Sequence, residues 1–383
     1  MPCALNRGIR IILNMKRHSA TLPPESATCW VHWGRTGGGP RFLLELTDGD
    51  LENSGETLLS YNPDAEIAHQ LSTLPVEHFP VPTYNSKLGV VLGLPRLIIN
   101  SIRFRRWLGK NNVTRVVGVM ESIYQSLAVP FLVPEDVEYV ACIHDGEHHP
   151  GESHPLQRLG RKLELSRATR LVTFSDKSAA LLRKKTPKQI TVGSHPPFGY
   201  SAVTATPRKF PENRPLVFGL FGRLQEYKGI EPLLEAARLL RQSPAVPDFE
   251  IRIIGEGPAG KLRDTELGEQ AEWDVRWIPE EEVDKLVRSF DVMTLPYTSA
   301  SQSGPVTIAL ANAIPCVVTP VGALPDQAEG FGIVAENVSP AAIASAMKKM
   351  LTPEVYEQLS EKAAIKVNSV PSWKELADAI RRG

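Results

Sequence analysis

A chain of 383 residues is too long for one ordinary hydrophobic core and is sized for two domains, while its 43 basic and 43 acidic side chains cancel to a formal net charge of zero. No overall field recruits nucleic acid, so any electrostatic role is local. The four cysteines, Cys3, Cys29, Cys142 and Cys316, form no CxxC pair, which argues against a zinc ribbon, a redox dithiol or a disulfide framework and fits a reducing cytoplasm.

At the N-terminus Arg7, Arg10, Lys16 and Arg17 flank the apolar patch Ile11–Leu13, which is too short for a signal-peptide core. No segment reaches the roughly 18 apolar residues that a bilayer span requires. Strand candidates follow at Ile9–Leu13, Thr28–His32, Leu58–Tyr61, Val116–Val119, Val137–Ile143 and Leu171–Phe174. The turn Gly37-Gly38-Gly39-Pro40 opens a helix over Arg41–Leu46 and places free amides and a positive dipole end at a cleft. Asp48-Gly49-Asp50 has the spacing of a metal-binding DxD, but it reads as a polar turn after that helix, and no metal is expected there.

Residues 95–110 contain no acid and thread Arg96, Arg103, Arg105, Arg106 and Lys110 among Leu97, Ile98, Ile99, Ile102, Phe104 and Trp107. Such a basic amphipathic helix can lie on anionic lipid, but the favoured reading is a helix whose apolar face is core. From His144 to His154 four histidines and three carboxylates crowd the end of a strong strand. Gly146, Pro150 and Gly151 forbid the regular helix that would bring His144 and His148 to one face. The favoured reading is a cleft loop in which His144 and Asp145 meet a substrate hydroxyl or phosphate; a metal site and a plain surface loop are the alternatives.

Thr206–Pro215 holds three prolines and reads as a linker between residues 1–205 and 216–383. Beyond it, continuous apolar strands at Leu216–Phe221, Glu250–Ile254, Val275–Trp277, Val292–Leu295, Cys316–Thr319 and Gly332–Val334 alternate with helices at 231–241, 280–289, 305–312 and 340–351. That pattern predicts a doubly wound parallel sheet covered on both faces. The first strand of this half ends in Gly222, presents Arg223 and then Lys228, and leads into a helix. Glycine lets backbone approach phosphate oxygens while the two cations neutralise charge growing on a leaving group. Ser299-Ala300-Ser301-Gln302-Ser303-Gly304-Pro305 supplies a second set of donors, because small hydroxyls and glycine before a first-turn proline leave backbone amides facing an anion. There is no GxGxxG after a strand, no GxxxxGK[ST], no GxSxG and no HExxH, so a dehydrogenase, a P-loop ATPase, a hydrolase and a zinc peptidase lose their simplest support.

Taken together these residues resemble the GT-B glycosyltransferases, and within them glycosyltransferase family 4. The second half carries the resemblance through Gly222-Arg223-Leu224 with Lys228-Gly229, Ile254-Gly255-Glu256-Gly257-Pro258, Leu295-Pro296-Tyr297, and Pro315-Cys316-Val317-Val318-Thr319 followed by Val321-Gly322 and Pro325-Asp326. The first half joins it more loosely through Gly37-Gly38-Gly39-Pro40, His144-Asp145 and Val172-Thr173-Phe174-Ser175. The resemblance implies two facing Rossmann-like domains, the last helix packing back on the first. It implies retaining, metal-independent transfer of a hexose from a nucleotide diphosphate donor, with no cofactor, to a lipid-linked or polysaccharide acceptor.

On that basis Arg223 and Lys228 grip the diphosphate, Gly38 and Gly39 approach it from the opposite domain, and His144 contacts the transferred sugar. Gly222, Glu256, Ser301, Gln302, Ser303 and Gly304 complete the donor site. The family's paired glutamates fall here on Ala300 and Ile308, which accept no hydrogen bond, so Ser301, Gln302 or backbone amides take those contacts. The expected setting is the cytoplasm, with peripheral contact on the inner face of the membrane through residues 95–110. Two rivals remain: a non-catalytic GT-B protein that binds a nucleotide sugar or a partner, and a sugar-nucleotide epimerase, for which only Asp145, Glu147 and Glu152 offer carboxylates.

Overall fold

In the computed structural model, which describes residues 26–84, 94–146, 155–199, 205–243 and 246–383, the described strands form two parallel sheets. The first contains β1 (Thr28–His32), β2 (Thr57–Tyr61), β3 (Glu77–His78), β4 (Arg115–Gly118), β5 (Glu138–Cys142), β6 (Arg170–Thr173) and β7 (Ile190–Val192), in the order β3-β2-β1-β4-β5-β6-β7. Its helices are α1 (Gly38–Asp50), α2 (Ala68–Thr73), α3 (Leu94–Lys110), α4 (Ile123–Leu132), α5 (Pro155–Arg167) and α6 (Asp176–Arg183). The second contains β8 (Leu216–Phe221), β9 (Phe249–Gly255), β10 (Glu272–Val275), β11 (Val292–Leu295), β12 (Cys316–Val318) and β13 (Gly332–Val334), in the order β10-β9-β8-β11-β12-β13. It is accompanied by α7 (Ile230–Arg241), α8 (Glu280–Arg288), α9 (Gly304–Ala311), α10 (Leu324–Gln327), α11 (Pro340–Met350), α12 (Pro353–Lys366) and α13 (Trp373–Arg382).

The strand sequences explain the layering. Every residue of β1, β2, β4, β6, β11 and β12 is buried, as continuous apolar strands must be when helices cover both faces of a sheet. One core cluster is shared by both domains, joining Trp30, Phe42 and Val172 of the first to Met293, Ile308 and Phe331 of the second. Separate clusters lie beneath α3 and α4 on the far side of the first sheet, and beneath α7 and α11 on the far side of the second. In each sheet the strand order reverses once, between β1 and β4 and between β8 and β11, and such switch points open crevices at the carboxyl ends of the strands.

The last helix belongs to the opposite domain. A capping box of Ser372 and Glu375 starts α13, which then packs on α1. Its Arg381 sets Nε and Nη2 each 2.6 Å from the Asp50 carboxylate, and both side chains are fully buried. Asp50 also accepts from Trp30 Nε1 at 2.7 Å and Thr57 Oγ1 at 2.8 Å, so its lone pairs are satisfied. Gly49 makes the approach possible, because a Cβ there would lie 2.6 Å from the Trp373 carbonyl carbon.

Several sequence expectations change. The helix predicted over Arg41–Leu46 runs from Gly38 to Asp50, so Asp48-Gly49-Asp50 is helical rather than a turn, and Asp50 is an ion-pair anchor. The strand placed at Val275–Trp277 lies at Glu272–Val275: the alternating edge strand, with Trp273 Nε1 bonded to Gly268 O, was hidden behind a short apolar run whose Trp277 is exposed. Strands β3 and β7 had no clear sequence signal. Residues 206–215 are extended but tightly held: Arg208 donates to the carbonyls of Asn312, Arg288 and Phe290, and Arg214 makes a bidentate pair with Asp291. The strand expected at Ile9–Leu13 lies outside the described residues.

Candidate active site between the two sheets

The loop after β8 begins at Gly222 and exposes Arg223, while Leu224 is pulled inward by the bond from its amide to Glu256 O (2.8 Å) in the loop after β9. That bond sets the exposed Glu256 beside Arg223's segment. The chain then turns through Glu226–Lys228 and reaches Gly229 at φ 69°, where a Cβ would sit 1.8 Å from Pro296 O. Only glycine allows the β8 loop to lie this close to the β11 loop.

Across that switch-point crevice the Lys228 side chain, 8 % exposed, donates from Nζ to the Tyr297 hydroxyl at 2.7 Å and lies 4.0 Å from the centroid of its ring. Burial pushes the Tyr297 phenol far above its usual range, so it stays neutral, accepting from Lys228 and sharing a 3.1 Å hydrogen bond with Ser303 Oγ. The Ser303 amide donates to Gln327 Oε1 at 2.9 Å, and Gln327 Nε2 returns a bond to Ser303 O. One amide expected to face an anion is therefore committed to holding the loop at the start of α9.

The next residue back crosses between domains. Gln302 Nε2 lies 2.8 Å from His144 Nδ1, and His144 Nε2 lies 2.9 Å from Val119 O. A carbonyl only accepts, so Nε2 carries the ring proton and Nδ1 offers its lone pair to the Gln302 amide. Burial lowers the His144 pKa against opposing help from the Val119 carbonyl, Asp145 and Glu121, which agrees with a neutral ring. The result is a polar chain from Val119 through His144, the Gln302-Ser303 segment and Tyr297 to Lys228. Among the described residues, the buried Gln302 Oε1 has no hydrogen-bond partner.

Arg161 holds this loop from behind. Its guanidinium is paired to Glu121 through Nε and Nη2 and donates from Nη1 to Asp145 O at 2.8 Å, tying α5 to the segments that follow β4 and β5. Residues 147–154, including His148, His149 and His154, lie outside the described residues.

The glycine turn closes the opposite wall. Gly37, at φ 79°, caps α1, and a Cβ on Gly39 would fall 2.3 Å from His32 Nε2, so the helix start rests on the imidazole. His32 sits at the end of β1 with Nδ1 3.1 Å from Met120 O, at the switch point of the first sheet, and burial drives its pKa to about 4. Just beyond the turn, Arg41 Nε lies 3.8 Å from Glu280 Oε1 of α8, which brings the Gly38 and Gly39 turn to the second domain. Phe42, Phe174 and His195 pack around the His144 ring, with the Phe42 and His144 centroids 4.9 Å apart, and Trp373 packs in turn on Phe42 and His195.

A hydrogen-bonded chain thus links Lys228, Tyr297, Ser303, Gln302 and His144 across the two domains, while Arg223 and Glu256 are exposed on the loops that follow β8 and β9 and the glycine turn follows β1. Ala300 and Ile308 take no polar part: Ile308 is buried in the shared core, and Ala300 O lies where a Cβ on Gly322 would be 1.9 Å away. Sequence reasoning gave no role to Tyr297, Gln327, His32 or Arg161. Tyr297 was visible in the Leu295-Pro296-Tyr297 signature; the others act through contacts between residues far apart in the chain.

Comparison with known proteins agrees with this fold. Residues 215–353 match the family model described as glycosyl transferases group 1. A curated relative, the D-inositol 3-phosphate glycosyltransferase of Corynebacterium urealyticum, is 32% identical over 151 residues; the match covers 36% of this chain and 35% of that protein, about a third of its length. Among solved structures, a sucrose-phosphate synthase from Thermosynechococcus elongatus superposes with a TM-score of 0.68 at 15% identity, covering 92% of this chain and 96% of its own. Anabaena HepE in complex with UDP-glucose superposes at 0.69 and 12% identity, covering 92% and 98%. This chain therefore has the GT-B fold, two facing Rossmann-like domains, and its second domain carries the group 1 glycosyl transferase match.

Proposed function

We propose that the protein is a retaining glycosyltransferase that takes a hexose from a nucleotide diphosphate donor. The observation that carries the reading is the hydrogen-bonded chain that links the buried, Tyr297-held Lys228 of the β8 loop through Ser303 and Gln302 to His144 of the other domain, with Arg223 exposed on the same loop as Lys228. A UDP-sugar is the first donor to test, since solved structures of similar fold hold UDP-glucose or UDP.

In this reading Arg223 and Lys228 bind the diphosphate. As the anomeric bond breaks, charge builds on the departing phosphate, and fixed cations stabilise it without solvent reorganisation. The pair supplies this charge without a metal. His144, neutral and with its proton fixed on Nε2, presents Nδ1 as acceptor to a hydroxyl of the transferred sugar, displacing the Gln302 amide, which then turns to the sugar or the nucleotide. The leaving phosphate accepts the proton of the incoming hydroxyl, so retention needs no separate side-chain base. The acceptor is a lipid-linked or polysaccharide hydroxyl, reached from the first domain.

Thermal stabilisation by a panel of UDP-, GDP- and ADP-sugars, followed by transfer assays with the stabilising donor and lipid extracts, tests the proposal. Stabilisation followed by product supports it. A second reading, a non-catalytic nucleotide-sugar-binding protein, is favoured by Ala300 and Ile308 standing where glutamates are usual; stabilisation with neither transfer nor hydrolysis would select it. No stabilisation by any donor would refute both.

A further inference from the structure

Among the described residues, the exposed large apolar side chains of the first domain lie on three consecutive helices, apart from Val192 on the edge strand β7. Ile98, Ile99 and Ile102 of α3 are 62%, 59% and 50% exposed, Phe131 of α4 is 54% and Leu159 of α5 is 47% exposed. The core does not need them. Leu97, Phe104 and Leu108 already fill the inward stripe of α3, and the isoleucines stand on the turns between.

Charge on the same face has one sign. Helix α3 carries five basic residues and no acid, α4 carries no charge, and α5 exposes Arg158, Lys162 and Arg167 while its one carboxylate, Glu164, is buried. Among the described residues, the exposed carboxylates that follow α4 in sequence, Glu135 and Asp136, lie beyond its end in the turn to β5; Glu152, before α5, lies outside the described residues. The three helices form a continuous surface, since α3 packs on α4 and α4 on α5. Arg105 donates to Leu132 O at 3.1 Å, and Arg167 donates to Pro130 O at 3.0 Å with its guanidinium 5.9 Å from the Phe131 centroid.

We propose that the α3–α4–α5 face docks on an anionic lipid bilayer, with Ile98, Ile99 and Ile102 entering the boundary between headgroups and acyl chains and the arginines meeting lipid phosphates. A bilayer interface accepts both halves of this surface at once, whereas a folded protein partner would have to match a wide, uniformly basic rim with acids of its own. The structure adds to the sequence-level reading of residues 95–110 by extending the surface over α4 and α5. Through Arg161 and Asp145 O, α5 is joined directly to the His144 loop, so docking would bring the crevice to the membrane surface, where a lipid-borne hydroxyl lies.

This inference does not rest on the donor assignment and has its own test. The full-length protein is sedimented with vesicles of phosphatidylcholine alone and of phosphatidylcholine mixed with phosphatidylglycerol. Binding is expected only with the anionic vesicles, to fall about five-fold for each basic residue removed in Arg103→Gln and Arg106→Gln, and to weaken with salt as charges are screened. Ile98→Ser/Ile99→Ser/Ile102→Ser should abolish it. These positions are exposed, so unfolding temperature and donor-induced stabilisation should match the parent protein, which separates loss of docking from loss of fold or donor binding. Failure of the parent protein to sediment with anionic vesicles would overturn the proposal. So would binding that survives both sets of substitutions, or a concentration-dependent dimer that the isoleucine variant dissolves while vesicles leave it in solution.

Discussion

Replacing Lys228 with methionine should separate chemistry from stability. Methionine keeps an unbranched apolar stem against the rings of Tyr227 and Tyr297 but removes the ammonium 2.7 Å from the Tyr297 hydroxyl. Tyr297 retains its bond with Ser303, so its buried hydroxyl is not orphaned. A lost charge-assisted hydrogen bond costs about 1.5–3 kcal/mol. Relief from burying an ammonium offsets much of this, and the net change in unfolding free energy should be about 1 kcal/mol. The effect on transfer is larger. Loss of one fixed charge-stabilising donor raises a barrier by about 2.7–4 kcal/mol, or 10² to 10³ in turnover. Urea titration measures the first quantity, and the rate of labelled sugar transfer at saturating donor the second. Turnover within about twofold of the parent protein would refute the assignment of Lys228 to the leaving phosphate.

Arg381→Met strands Asp50 in the interior with only Trp30 and Thr57 as strong donors, so unfolding free energy should fall by about 3–5 kcal/mol in urea titration, and Arg381→Met/Asp50→Asn should recover much of it. Gln302→Leu removes the amide that turns to the sugar or the nucleotide once the donor displaces it from His144; a hydrogen bond to the donor worth about 0.5–1.5 kcal/mol is lost, and calorimetry should show donor affinity reduced about 2- to 12-fold, whereas unchanged affinity would exclude a donor contact by Gln302. His32 and His195 are each held to a pKa of about 4 by burial, below the ordinary 6.5 of the unfolded chain. The unfolded state therefore binds up to two more protons between these values, and stability present above pH 6.5 is lost as pH falls toward 4, by up to about 2.7 kcal/mol per pH unit. Glu164 works in the opposite direction: burial raises its pKa from 4.5 to about 8, so its contribution is lost as pH rises through that window, and Glu164→Gln should flatten the alkaline side of the profile of unfolding temperature against pH.

The second domain was legible because its central strands are uninterrupted apolar runs separated by amphipathic helices, and burial on both faces leaves that mark in sequence. The edge strand β10 escaped because half of its residues face water, and β3 spans only Glu77–His78, too short to show any period. At the site, sequence chemistry singled out Arg223, Lys228, His144 and Gln302, since cations and small polar residues beside glycines are conspicuous. It did not reveal that Lys228 is buried against Tyr297, nor that Gln302 reaches His144, because those pairs are 69 and 158 positions apart and meet only when two crevices face each other. The Arg381–Asp50 pair spans 331 positions and left still less trace. Asp48-Gly49-Asp50 carried a suggestive spacing whose physical role is helix packing.

The return of α13 to the first domain means that the chain passes between the lobes twice, once before β8 and once between α12 and α13. Two covalent crossings define a line, and rigid bodies tethered at both can pivot about that line but cannot slide past each other or twist freely. Opening of the crevice should therefore follow a single angular coordinate. Ligands that wedge the lobes apart and ligands that draw them together would then move the same pair of reporter positions in opposite senses along one path.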